Sequence, residues 1–169
     1  MSDLEATCDG KPADVKRVEI DGVRVNGVSD ASRVVLTYKV LAAEMTCRAN
    51  HLDTSHVHIM PPYTWLMPTR GIDSERMNLT HKITLAKPES WNTAIQLPGK
   101  EGEWFADGRD EFLDAIIESN PNPMISFEVQ GCKQYLKLWD SGSLPIPQKG
   151  IDRFVEAMKL VIEEHFALF

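Results

Sequence analysis

Apolar and polar residues alternate along the chain between residues 34 and 48. The two interleaved sets are Val34, Leu36, Tyr38 and Val40 on one face, and Val35, Thr37, Lys39 and Leu41 on the other. Successive side chains of a strand point to opposite faces of a sheet, so this period of two predicts a long, half-buried strand. We expect the strand to bend near Ala42 and Ala43.

Shorter apolar runs, separated by Pro and Gly, predict further strands. They lie at residues 15–25 (a strand pair), 57–60, 78–85, 91–97, 124–129 and 135–139, with the last two joined across Gly131. Asp21-Gly22 in the first pair suits a two-residue hairpin turn. Pro61-Pro62 ends the strand that precedes it, because proline has no backbone N–H to donate to a neighbouring strand.

Two segments have apolar residues at helical spacing instead. The first covers residues 109–118 and is stopped by Pro121 and Pro123. The second is C-terminal, and its apolar stripe consists of Ile151, Phe154, Val155, Met158, Val161, Ile162 and His165 or Phe166. Its end has no Gly or Asn cap and exposes Phe166, Leu168 and Phe169. We expect these side chains to fold back on the domain's own sheet or to meet a second copy.

Together these elements predict a β-rich α+β fold. We expect an antiparallel β-sandwich or curved sheet of about seven strands, with a short helix and a long C-terminal helix packed against it. The chain has 169 residues, of which 43% are hydrophobic, which suits one core. Residues 1–14 are polar and are predicted to be flexible, and residues 15–169 are predicted to form a single domain.

Charge and composition exclude several classes of function. The net charge is -7 and no basic stripe is present, so nucleic-acid binding is disfavoured. No apolar run is long enough to span a bilayer, and residues 1–22 lack the apolar core of a signal peptide, so we expect no membrane contact and take the cytoplasm as the default for an unknown compartment. Cys8, Cys47 and Cys132 are irregularly spaced, which predicts reduced, mostly buried thiols.

One cluster of residues could bind a metal. Cys47, His51, His56 and His58 lie within twelve residues, and His56 and His58 would share one face of a strand. No Asp or Glu with a clear ligand spacing follows them. We therefore expect no metal site in the chain and a solvated or edge-strand role for these histidines, with a small metalloprotein as one alternative.

Other chemistry-bearing residues have structural interpretations. The carboxylates of Asp107, Asp110, Glu111 and Asp114 begin a predicted helix, where capping is a better account than acid-base catalysis. Ser141-Gly142-Ser143 lacks His and Asp partners nearby and is interpreted as a turn. Trp65, Trp91, Trp104 and Trp139 are assigned to the core or to contacts between domains, and residues 61–65 are the one cluster expected to form an exposed aromatic surface. No catalytic residue and no cofactor-binding residue is expected.

Four segments, in order, resemble a known family. They are residues 38–53, 88–97, 104–115 and 127–131, followed by the closing helix. Their sequence motifs and spacing resemble the N-terminal, non-catalytic region of the glycyl aminopeptidase family over residues 34–166. The members of that family are PDZ-bearing zinc metallopeptidases. The first 30 residues differ from the family pattern, and so do Ile116 and Cys132-Lys133-Gln134.

The family's zinc chemistry needs a motif that this sequence lacks. The motif His-Glu-x-x-His does not occur, since the residues four before and four after His165 are Val161 and Phe169. Two His ligands must lie one helical turn apart to hold zinc on one face of a helix. The resemblance therefore implies that the single domain at residues 15–169 is a fragment of a larger peptidase. It also implies that zinc belongs to the catalytic domain of that parent protein, and that this chain alone has no peptidase activity.

These observations leave two further classes of function open. The resemblance implies a non-catalytic N-terminal scaffold whose partner is the parent's catalytic domain. The alternative is a free-standing acidic protein-binding module, or a secretion-chaperone-like dimer that pairs through its C-terminal helix. The reading frame beyond residue 169 distinguishes them, because His-Glu-x-x-His downstream favours the scaffold and a stop codon favours the module.

Overall fold

A computed structural model describes residues 1–18, 20, 22–70, 75–76, 79–140 and 147–168. Its strands are β1 Ser2–Cys8, β2 Lys11–Pro12, β3 Val15–Arg17, β4 Val23–Val25, β5 Val34–Lys39, β6 His51–Leu52, β7 Val57–Ile59, β8 Thr69–Arg70, β9 Glu75–Arg76, β10 Thr80–Thr84, β11 Asn92–Ala94, β12 Gly99–Lys100, β13 Glu103–Asp107, β14 Ile117–Asn120, β15 Ile125–Val129 and β16 Cys132–Leu136. The helices are a 3-10 turn at Pro61–Tyr63, α1 Arg109–Asp114 and α2 Gln148–Leu168. The β-rich α+β class, with one short and one long helix, is confirmed.

The strands are shorter and more numerous than the pattern predicted. The described residues form sixteen strands in several small antiparallel sheets, against about seven expected. The predicted strand at residues 34–48 ends at Lys39, and the chain after it instead pairs Ala43 with His51. Proline ends other runs, as at Pro61 after β7, because it cannot donate to a neighbouring strand.

The start of the chain is a strand. Residues 1–14 were expected to be flexible, yet β1 pairs antiparallel with β5 on one side and with β2 on the other. Ala6 of β1 is buried. Backbone hydrogen bonds between strands do not require apolar side chains, so a polar segment can complete a sheet when a partner edge is available.

The strand pairs predicted on either side of a turn are confirmed. β3 and β4 pair antiparallel with Arg17 opposite Val23, which leaves five residues between the strands, so the predicted two-residue turn at Asp21-Gly22 is wrong. Asp21 itself lies outside the described residues. β15 and β16 pair across Gln130 and Gly131, which both have positive φ, at 49° and 78°. Two adjacent residues with positive φ are what a type I′ hairpin turn requires.

The predicted helix at residues 109–118 is wrong in its second half. α1 ends at Asp114, and Ile117 begins β14 between β11 and β7. Two β-branched residues, Ile116 and Ile117, favour a strand, and the extended backbone buries Ile117 completely. This correction matters for the site, because it changes the direction in which Glu118 points.

The apolar core lies between β14, β10, β13 and α1. Its buried members are Ile83, Leu97, Trp104, Ala106, Phe112, Ala115 and Ile117, with Ile59, Trp65 and Met67 among the half-buried residues packed around them. The C-terminal helix α2 contacts β15, but none of its side chains is buried. Phe154, Val161, Phe166 and Leu168 remain exposed, and Phe169 lies outside the described residues.

Candidate functional site

The histidines and a glutamate lie on one face of the four-stranded sheet β11-β14-β7-β6. Residues that pair across antiparallel strands share a face, and here His51 pairs with His58, which pairs with Glu118. The opposite face carries Ile59 and Ile117, which point into the core. The register of β7 and β14 therefore brings together residues that lie about 60 positions apart in the sequence.

Glu118 joins two of the histidines. Its Oε1 accepts a hydrogen bond from His56 Nδ1 at 3.1 Å, and its Oε2 accepts one from His58 Nδ1 at 3.3 Å. Asn120 Nδ2 also donates to Oε1, at 3.0 Å. Burial raises the pKa of Glu118, but the three hydrogen bonds outweigh it and hold that pKa below its usual value. The carboxylate is thus kept charged beneath the imidazoles.

His56 is the most enclosed of these imidazoles. It is 3% exposed, and its ring stacks on Trp139 with centroids 3.6 Å apart. Its Nε2 lies 2.6 Å from His51 Nδ1. Trp139 Nε1 donates to Ser55 Oγ at 2.9 Å, which fixes the indole over the loop. Trp139 follows the end of β16 at Leu136, so it was wrongly predicted to lie within a strand.

Asp53 shapes the loop between β6 and β7. Its Oδ1 accepts hydrogen bonds from Ser55 N, Ser55 Oγ and His56 N, at 2.6, 2.7 and 3.0 Å. The hydrogen bonds from Ser55, with a smaller contribution from His56, lower the pKa of Asp53 to about 2. The ligand atoms of His51, Asp53 and His56 all lie within 4.8 Å of one another.

Lys137 lies close enough to Glu118 to interact with its charge. Lys137 Nζ donates to the backbone oxygens of Asn120, at 3.1 Å, and of Asn122. Burial lowers the pKa of Lys137, and the charge of Glu118 opposes this effect. The opposite charges of Glu118 and Lys137 partly compensate each other.

The structure brings three of the four candidate metal ligands together and leaves the fourth apart. His51, His56 and His58 come together, and His56 and His58 share a face as expected. Cys47 is exposed and does not join the cluster formed by the described residues. Of the three cysteines, Cys8 is half-buried and Cys132 is exposed, so the prediction of mostly buried thiols is wrong.

The acidic residues around α1 do not cap its start by side-chain hydrogen bonds, so that part of the prediction is wrong. The N-cap is Gly108, which has no side-chain cap hydrogen bond, and Asp114 is the last residue of the helix. Glu111 Oε2 accepts instead from the backbone N–H of Asp107 in β13, at 2.5 Å. Asp110 and Glu111 do lie in the first turn, where negative charge complements the helix dipole. Ser141-Gly142-Ser143 lies outside the described residues.

The aromatic residues divide between core and surface. Trp91 and Trp104 are buried, and Trp65 packs beside Phe112 in the core. Tyr63 is 62% exposed, so the predicted aromatic surface at residues 61–65 is reduced to this ring.

Sequence reasoning missed Asp53, Glu118 and the position of Trp139. Asp53 was visible as part of the spacing His51-x-Asp53-x-x-His56. Glu118 was missed because the pattern places it at the end of a predicted helix and not in a strand. An Ile-Ile pair immediately before a Pro-rich stop was the available signal that the helix ends earlier.

Comparisons with known proteins agree with this fold. A solved structure described as an aminopeptidase N family protein from Idiomarina loihiensis matches with a TM-score of 0.67 and 22% identity, over 78% of this chain and 23% of that one. The chain therefore spans about a quarter of the length of that protein. No curated protein matches the chain. Among the described helices, none is both long and apolar enough to cross a membrane.

The family model for the Peptidase M61 N-terminal domain matches residues 1–118. This match confirms the resemblance to the glycyl aminopeptidase family but shifts its bounds, since residues 1–33 belong to it and residues 119–169 lie outside it. Because the match covers more than half of the sequence, the chain belongs to the Peptidase M61 N-terminal domain family.

Proposed function

We propose that this chain is a non-catalytic scaffold that packs against the catalytic domain of a zinc aminopeptidase and helps to shape access to its cleft. The observation that carries the proposal is the family match over residues 1–118, combined with a sequence that has no His-Glu-x-x-His. Zinc in the parent enzyme is part of this proposal.

An exposed stripe on α2 supports a contact with another domain. Phe154, Val161 and Leu168 are 47%, 63% and 79% exposed and repeat every seven residues. At 3.6 residues per turn they form one line along the helix, about 70° away from the half-buried Ile151 and Met158. Apolar area exposed in this way is unfavourable by about 25 cal/mol per Å² until a partner covers it.

The catalytic domain is the occupant that we favour for this stripe. The solved structure that shares the fold is much longer than this chain, which covers 23% of it. A neighbouring domain of the same protein is therefore available to cover the exposed stripe on α2. A second copy of the chain is the competing occupant.

The test begins with the protein encoded by the whole reading frame that contains this chain. We expect His-Glu-x-x-His downstream of residue 169 and zinc-dependent hydrolysis of glycyl and alanyl substrates by the full protein. The chain alone should be inactive on the same substrates, with or without added zinc. A reading frame that stops at residue 169 overturns the scaffold proposal and favours the free-standing module.

Variants of α2 then test the contact. Phe154→Ser, Val161→Ser and Leu168→Ser together should lower the activity or thermal stability of the full protein. The control combines Asp152→Asn, Glu156→Gln and Glu163→Gln on the opposite side of the helix, and it should leave both unchanged. Light scattering on the chain alone tests whether it self-associates. If the full protein also forms a dimer through the stripe, the catalytic domain is not the surface that covers it.

A further inference from the structure

We propose that the loop between β6 and β7 is a zinc-binding site whose ligands are His51, Asp53 and His56. The sequence argued against a metal because no carboxylate had a clear spacing. The fold brings the carboxylate of Asp53 next to the two histidines, since the ligand atoms of these three residues lie within 4.8 Å of one another. This site goes beyond the scaffold role and does not depend on it.

Glu118 orients His56 for coordination. A carboxylate can only accept a hydrogen bond, so the contact at 3.1 Å puts the proton of the neutral His56 ring on Nδ1. The lone pair of His56 then lies on Nε2, which faces His51. Metal-bound histidines commonly donate their second N–H to a carboxylate, which fixes the ring and makes the coordinating nitrogen more basic.

The contact between His51 and His56 fits a metal-free site. With the lone pair on His56 Nε2, His51 Nδ1 donates the hydrogen bond of 2.6 Å that joins them. Two nitrogens bound to one tetrahedral zinc, at about 2.0–2.1 Å each, lie roughly 3.3 Å apart. Zinc binding therefore needs the rings to separate by less than about 1 Å, and the His51 proton to move from Nδ1 to Nε2 through solvent.

Asp53 is pre-positioned as the third ligand. Its Oδ1 is held by three hydrogen bonds from Ser55 and His56, which locks the side chain over the loop. Within the described part of the chain, no hydrogen bond is made by Oδ2, which leaves that oxygen for a cation. Trp139, stacked on His56 and bonded to Ser55, forms the apolar wall of the site.

The donor set indicates the metal. Two imidazole nitrogens and one carboxylate oxygen suit zinc, and three protein ligands leave one position for water or for a donor from a partner. The arrangement differs from the His-Glu-x-x-His type, because its histidines lie at the two ends of a hairpin loop and not on one helix. Zinc bound here would cross-link the two ends of that loop.

The test uses zinc itself as the probe. Tag-free protein is stripped with a chelator, dialysed, and titrated with zinc chloride by calorimetry and by competition with a chromophoric chelator. We expect one zinc per chain. Cobalt should bind at the same stoichiometry and give the intense visible absorption of a tetrahedral site.

Variants assign the ligands. Asp53→Asn keeps the oxygen that accepts from Ser55 and removes the charge, and His51→Gln changes a half-buried ring, so both should fold and should weaken zinc strongly. Glu118→Gln should weaken it by about 10–100-fold through His56. His165→Gln, on α2, is the matched control for loss of an imidazole and should bind like the wild type.

Three results would overturn the site. The first is the absence of saturable zinc binding by folded wild-type protein, with folding verified by circular dichroism. The second is unchanged zinc affinity in a folded variant that combines His51→Gln and Asp53→Asn. The third is a loss of zinc binding in the His165→Gln control as large as in the ligand variants.

Discussion

The two faces of the sheet β11-β14-β7-β6 meet the requirement of burial in opposite ways. One face places Ile117 and Ile59 in the apolar core, while the other places Glu118 beneath His56 and His58. The apolar face is stabilised by area removed from water, which requires only shape and volume. The polar face is stabilised by hydrogen bonds to Glu118, and loss of a partner from a buried group costs free energy. His58 Nε2 is already buried without a partner among the described residues. Neighbouring residues of β14 should therefore respond to mutation for different reasons.

The largest effect is expected at the apolar face. Ile117→Ala removes a side chain that is 0% exposed, and should lower the free energy of unfolding by about 2–5 kcal/mol. Urea denaturation measures the change. Ile116→Ala, at a residue 44% exposed, is the control and should cost less than about 1 kcal/mol. Equal losses would mean that β14 is not the buried strand of the core.

At the polar face, Glu118→Ala should lower the free energy of unfolding by about 1–3 kcal/mol, because it leaves His56 and His58 without an acceptor. The measurement is made in urea with zinc excluded by a chelator. Glu128→Ala on the exposed side of β15 is the control for the loss of a carboxylate and should have almost no effect. A Glu118 variant as stable as this control would contradict the account of the polar face.

A smaller effect is expected where a polar ring enters the apolar core. His81 stacks on Phe112 at 4.3 Å, its Nε2 is buried without a partner among the described residues, and burial lowers its pKa below 6.5. The unfolded chain therefore binds more protons than the folded one below about pH 6.5, so the contribution of His81 to stability falls as the pH falls through that value.

The variant His81→Phe should remove this pH dependence. Its stability relative to the wild type should rise as the pH is lowered from 7.5 to about 5, which urea midpoints at each pH will measure. His81→Gln should remove the same titration without adding apolar area. A constant difference across this range would show that His81 does not titrate differently in the folded state.

The smallest effect is expected at the edge of the apolar face. Leu52 lies on the same face as Ile117 but at the end strand β6, where it is 57% exposed. Leu52→Ser should change the free energy of unfolding by about 0.5 kcal/mol or less. A loss as large as that of Ile117→Ala would mean that this edge is covered, and would make it a second candidate contact surface.

The sequence determined the elements whose contacts are local. The helix α2 follows from an apolar stripe with helical period, and the β15-β16 hairpin follows from two short strands around Gln130-Gly131. In both cases the bonding partners lie within a few residues, so a pattern in a short window contains the information. The family resemblance was also visible at this level, and the family match confirms it with the bounds moved to residues 1–118.

Tertiary structure decided the rest. Residues 117–120 became a strand because β7 and β11 offer edges on both sides, and Ser2–Cys8 became one because β5 does. The hydrogen bond between His56 and Glu118 joins residues that lie 62 positions apart in the sequence. Strand partners are chosen by the fit of distant segments, which no local period records, so the site could be seen only once β6, β7 and β14 were aligned.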